Sequence, residues 1–111
     1  MYSSMVSEQD WRLFKKKIGV WQENHMERLN REYVEILTSS KAASEKFWEL
    51  EKRIRRDRRS RGVIVEMKRS NMIPCLLELL MDDIISKDDL EGFSSELVEE
   101  LLLIVARNQE A

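Results

Sequence analysis

An all-α fold is expected of these 111 residues: a long antiparallel helical hairpin followed by compact C-terminal helices, four to five helices in all, forming one domain over residues 1–111. Three features point there. Apolar residues recur every three or four positions from Trp11 to Leu37, the spacing of one helix face. Met72 to Met81 is apolar in nearly every direction, with Glu78 its only charge, so other helices must cover it on most sides. Three glycines and one proline, against 42% hydrophobic and 36% charged residues, leave few places for helices to break.

Taken in order, Met1 to Val6 reads as a loose lead-in, and Ser7 is an N-cap with Glu8 and Asp10 well placed in the first turn. Trp11, Phe14, Ile18, Trp21, Met26, Leu29, Tyr33 and Ile36 or Leu37 then mark a single helix of about 30 residues and ~45 Å, interrupted only by Gly19. The stripe slips by one residue near His25, where the helix is expected to change neighbours. Thr38 to Ser44 is a turn, with Ser40 or Ser44 as the next N-cap. Phe47, Leu50 and Ile54 form a narrow seam that can fold back on the first helix, completing a hairpin over 7–61, while Trp48 lies off that seam. Gly62 is placed as the C′ residue, after arginines that complement the helix dipole. Val63 to Met67 is either an extended segment or an extra helical turn, and a lone strand would need a partner such as its own copy.

A C-terminal helical subdomain is expected over 71–107, opening with Asn71 as N-cap and Pro74 harmless in the first turn. Ser86 and Asp89 form a capping-box-like pair that starts a short turn ended by Gly92, with Phe93 anchoring the connector in the core. Ser94 or Ser95 caps a last helix burying Leu97, Leu101 and Ile104 or Val105, with fraying from 107 to 111.

The net charge of −2 conceals a segregation. Residues 1–40 are balanced, 41–69 carry eleven basic and five acidic side chains, and 70–111 carry two and ten. The two charged segments can attract each other within one chain or between chains. A single cysteine, Cys75, forbids an intrachain disulfide and reads as a small core residue in a reducing, cytoplasmic protein. No stretch approaches the ~20 apolar residues of a spanning helix, and the N-terminus lacks a signal pattern, so no membrane association is expected.

Chemistry is poorly provided for. One histidine and one cysteine cannot build a metal site, and Gln22 stands where a Glu-x-x-His pair would need its carboxylate. No serine or cysteine has an obvious base, and Gly19, Gly62 and Gly92 are too scattered for a phosphate-cradling loop. A non-enzyme without cofactor or metal is expected. The sharpest local feature is the run Arg53, Arg55, Arg56, Arg58, Arg59 and Arg61, which could contact nucleic-acid phosphates or pair with the acidic C-terminal third. Residues 71–106 could also be drawn as a helix-turn-helix, but Glu96, Glu99 and Glu100 on its last helix would repel DNA.

Because the first helix is nearly twice as long as the second, part of its aromatic stripe needs another cover. Trp11, Phe14, Trp21 and Trp48 are therefore candidate interface residues, and a homodimer is the expected assembly. A small-molecule pocket between Trp21 and the apolar helix rests only on aromatic richness. The preferred reading is a self-associating interaction protein, with nucleic-acid binding through Arg53 to Arg61 as the alternative.

Three segments, Glu8-Gln9-Asp10-Trp11-Arg12-Leu13-Phe14, Phe47-Trp48-Glu49-Leu50-Glu51-Lys52-Arg53-Ile54 and Asp89-Leu90-Glu91-Gly92-Phe93-Ser94, resemble a group of short uncharacterised bacterial proteins of gut-type genomes, often found near mobile elements. The resemblance covers most of the chain but implies no chemistry and no functional residues. Some such proteins carry a multidrug-transporter label, which a sequence without a spanning segment contradicts.

Overall fold

The computed structural model describes residues 6–110, and within them the chain is all-helical. Helix α1 spans Glu8–Leu37, α2 Ala43–Asp57, α3 Arg69–Met81 and α4 Ser95–Glu110, with a 3-10 turn at Lys87–Leu90 between the last two. Among the described residues there is no strand.

Helix α1 begins where Ser7 Oγ accepts the Asp10 N–H at 3.1 Å and runs unbroken through Gly19, as its apolar spacing predicts. The expected change of neighbours at His25 is present. Trp11, Phe14, Ile18 and Trp21 join the main core with α3, the connector and α4, whereas Leu29 and Ile36 are buried outside that core, on the half that accompanies α2. The protein is therefore a compact head with a two-helix arm. Its radius of gyration is 16.6 Å, against about 13 Å for a compact chain of ~100 residues.

The head is organised by α3. Met72, Cys75, Leu76 and Leu79 have no exposure, and Phe14, Leu90 and Leu101 close over them. Helix α3 starts earlier than expected: Lys68 is the N-cap, and Asn71 sits inside the first turn, where its Nδ2 donates to the Glu66 carbonyl at 3.0 Å. Pro74 is thus interior to the helix. The carbonyl it leaves without a partner is that of Ser70, an exposed residue, so water can satisfy it and the cost of the proline is reduced. At the far end Asp83 adopts φ +57°, and the Ile84 and Asp83 amides donate to the Leu79 and Leu80 carbonyls at 2.8 and 3.2 Å, a Schellman closure that turns Ile84 into the core.

The connector follows the sequence closely. Ser86 and Asp89 form the capping box, Gly92 takes φ +96°, and Phe93 is buried with its ring 6.4 Å from that of Trp21. Lys17 of α1 fastens this turn by donating to the Asp89 and Glu91 carbonyls at 3.2 and 2.8 Å. Helix α4 buries Leu97 and Leu101, with Ile104 and Val105 partly covered, and stays helical to Glu110 where fraying from 107 was expected. Val6 belongs to the core and not to a loose lead-in; the rest of that expectation, Met1 to Met5, lies outside the described residues.

Two loop expectations are corrected. Ala42, not Ser40 or Ser44, precedes α2, and no side chain caps it. Helix α2 ends at Asp57, so Gly62 is not its C′ residue. Gly62 is required for another reason: a Cβ there would stand 2.6 Å from His25 Cδ2 and 2.8 Å from Ile84 Cδ1, so only glycine lets the loop pass between arm and head. Ile64 to Lys68 is neither helix nor paired strand, with Val65 partly covered by the core and Ile64 exposed.

Candidate interaction surface

Helix α2 meets α1 along a polar edge. Arg53 pairs with Glu32 at 2.5 Å and lies over the Tyr33 ring at 5.9 Å, and the Tyr33 hydroxyl donates to Asp57 Oδ2 at 2.7 Å. Arg56 adds a 3.0 Å ion pair to the same carboxylate. Burial, then the Asp57 bond, push the Tyr33 hydroxyl up to about 12. Burial opposes ionisation of Asp57, but the Tyr33 hydroxyl and the Arg56 guanidinium outweigh it and hold the carboxyl below its usual range. Beside this knot, burial and the Arg28 charge lower the His25 pKa, and its Nδ1 has no hydrogen-bond partner.

With Arg53 and Asp57 turned inward, the apolar seam expected to face α1 is rotated away from it. Phe47 is 62% exposed, Ile54 43% and Leu50 only half-buried. Asp57 is the one buried residue of α2, so this amphipathic helix buries no apolar side chain. Phe47 and Trp48 pack edge-to-face at 5.0 Å, forming an aromatic pair in solvent. Phe47, Leu50, Ile54, Arg55 and Arg58 line a groove of about 410 Å³, which shares Ile54 and Arg58 with a second, of about 260 Å³, reaching Met26 and Tyr33 on α1.

The candidate interface residues divide accordingly. Trp11, Phe14 and Trp21 are in the core, at 8, 1 and 8% exposure, because α3 and α4 supply the cover that a second chain was expected to give. They are not an interface. Trp21 is itself buried, with the Phe93 ring 6.4 Å away. Trp48 alone of the four is exposed, at 64%.

The arginine run is largely engaged within the chain. Arg53 and Arg56 serve the knot, Arg55 binds Glu51 one turn back, and Arg61 approaches Glu78 at 3.7 Å while its backbone N–H donates to the same carboxylate at 2.8 Å. Among the described residues Arg61 is thus the one member that reaches an acid of the C-terminal third. Arg58 and Arg59 are exposed and have no acidic partner among the described residues.

One polar residue went unforeseen. Asp10 is 3% exposed, and its carboxylate accepts the Ser94 N–H at 2.9 Å and the Ser94 hydroxyl at 2.6 Å, clamping the start of α4 to the start of α1. As the third residue of α1 it could reach back to its own cap; the turn after Gly92 brings Ser94 within reach instead.

Among the described residues no group of three or more His, Cys, Asp or Glu side chains could hold a metal ion, and no helix is long and apolar enough to cross a membrane. Compared with known protein families, curated proteins and solved structures, the chain gives no match.

Proposed function

We propose that this is a non-enzymatic interaction protein whose working surface is the outward face of α2, and that it self-associates through that face. The observation that carries this reading is that no apolar side chain of α2 is fully buried, with Phe47, Trp48 and Ile54 exposed and Leu50 half-buried. A 15-residue helix is marginal on its own, and this one is held mainly by a polar edge. Covering a large apolar side chain gains about 1.5–3 kcal/mol, less the part already buried, so a partner helix on this face stabilises both. Exposed aromatic pairs of the Phe47–Trp48 kind are typical anchors of such contacts.

Light-scattering mass tests the proposal. The protein should run at twice its 13.3 kDa chain mass, and a Phe47→Glu, Ile54→Glu double variant should fall to one chain mass with its helical signal retained, because the substituted positions lie outside the head's core. Equal masses for the two proteins would remove the proposal.

A second reading, contact with a nucleic-acid backbone, has Arg58 and Arg59 in its favour. Two unengaged guanidiniums imply a log K against log salt slope of only about −1.8 on duplex DNA, which is weak binding. A steeper slope, lost on replacing Arg58 and Arg59 with glutamine, would promote it over the first.

A further inference from the structure

The loop that leads from the arm back to the head is held at three points. Gln22 Nε2 on α1 donates to the Arg61 carbonyl at 3.1 Å, the Arg61 N–H donates to Glu78 on α3 at 2.8 Å, and the buried Gly62 lies against the His25 ring and Ile84. A cavity of about 360 Å³ adjoins this contact, lined by His25, Glu32, Arg56, Asp57, Ser60 and Asp82 among others. His25 is the only histidine of the chain, and its Nδ1 is buried with no hydrogen-bond partner. A neutral imidazole carries a proton on one nitrogen only, so the ring can sit here at the cost of one unmet group. The imidazolium carries two N–H groups and would place a charged one where neither water nor an acceptor reaches it.

The charges around the ring do not make up for this. Arg28, three residues on along α1, opposes a second positive charge and is tied to the Ile84 carbonyl at 3.1 Å. Glu32 is engaged by Arg53, and Asp57 by Tyr33 and Arg56. Asp82, after α3, has no ion pair among the described residues and is the one carboxylate here free to compensate, with Glu78 and Asp83 as acidic neighbours. Burial and then Arg28 outweigh the acids and hold His25 below its ordinary value. We infer that His25 is a proton-operated latch: the neutral ring holds the loop of residues 60–63 and Ile84 against α1, and the protonated ring releases that loop, loosening the base of α2 while the head stays closed. The release is local because the head keeps its own core of α1, α3 and α4, whereas no apolar side chain of α2 is fully buried. A base whose pKa is depressed on folding gives up stability in acid. The latch is intact above the unfolded value of about 6.5 and is lost as pH falls through the lower folded value, a window that opens well above the range in which Asp57 titrates.

A single histidine makes the test direct. Its ring NMR signals report the titration of His25 alone, and amide hydrogen exchange of the full chain, corrected for the pH dependence of the exchange chemistry itself, reports the loop. Between about pH 7.5 and 5.5 the protection of the Arg61 and Gly62 amides should fall at least about twofold, to a ceiling of about tenfold set by an open-state value of about 6.5, while Leu76 to Leu80 in the head do not change. His25→Gln, which cannot titrate, should abolish the dependence. Asp82→Asn, at an exposed position, should shift both the ring titration and the loss of protection to lower pH, because it removes the free counter-charge; a purely structural role for Asp82 would move neither. If His25→Gln does not fold, the ring titration and Asp82→Asn decide the matter. His25 titrating at or above about 6.5, a loss of protection that persists in His25→Gln, or a titration unmoved by Asp82→Asn would each overturn the inference.

Discussion

Replacing Asp10 with alanine should remove the bond that joins the two ends of the head. The carboxylate accepts two hydrogen bonds from Ser94, at 2.9 and 2.6 Å, from a site 3% exposed. A hydrogen bond to a charged group is worth about 1.5–3 kcal/mol net, and Ser94 is exposed enough for water to replace part of it, so Asp10→Ala should cost about 3 kcal/mol. For a chain of this size that lowers Tm by about 12 °C. Ser94→Ala should cost about 1–2 kcal/mol, because it also withdraws the hydroxyl that accepts the Leu97 N–H at the start of α4. The assay is urea denaturation followed by circular dichroism, at one protein concentration so that any association contributes equally. Asp10→Ala, Ser94→Ala and the double variant form a cycle whose coupling should exceed about 1 kcal/mol. A loss below about 1 kcal/mol for Asp10→Ala, or a coupling near zero, would refute the clamp.

Two glycines should respond in opposite directions in the same assay. Gly62→Ala should destabilise by about 1–3 kcal/mol because its methyl would meet the His25 ring at 2.6 Å, whereas Gly19→Ala, with nothing within 4 Å in mid-helix, should stabilise by about 0.5–1 kcal/mol. Acid should loosen the base of the arm. The Asp57 carboxyl is held below its usual range, so its contribution is present above the unfolded value of about 3.9 and lost as pH falls through the lower folded value. Tyr33→Phe, which deletes one of the bonds holding Asp57 down, should raise that carboxyl and move the acid transition to higher pH, checked by an acid titration of the helical signal. An unmoved transition would mean that the knot does not set the acid stability of the arm.

How far the sequence reached depends on what periodicity encodes. The 30-residue α1, its change of neighbours at His25, the Ser86–Asp89 box and the burial of Phe93 are all written in local spacing and cap chemistry. Spacing identifies a stripe but not what covers it. For that reason the spacing of Phe47, Leu50 and Ile54 reads as the hairpin seam, although the ion pair of Arg53 with Glu32 and the Tyr33–Asp57 bond orient α2 the other way. Trp11, Phe14 and Trp21 had the same ambiguity with the opposite outcome, since an α3 apolar on nearly every side draws them inward. Asn71 was the stronger cap by residue type, yet α3 begins two positions before it. The Asp10–Ser94 clamp joins residues 84 apart and left no local signal.

What distinguishes the arm from the head is that α3 and α4 bury apolar side chains and α2 buries none. Amide hydrogen exchange at low and high protein concentration addresses this element by element, because a helix covered by another chain opens less often as that chain becomes available. Self-association through α2 predicts that the amides of Ala43–Asp57 exchange more slowly as concentration rises, while those of Leu76 to Leu80 in the head do not change. Exchange in α2 that is independent of concentration would contradict it.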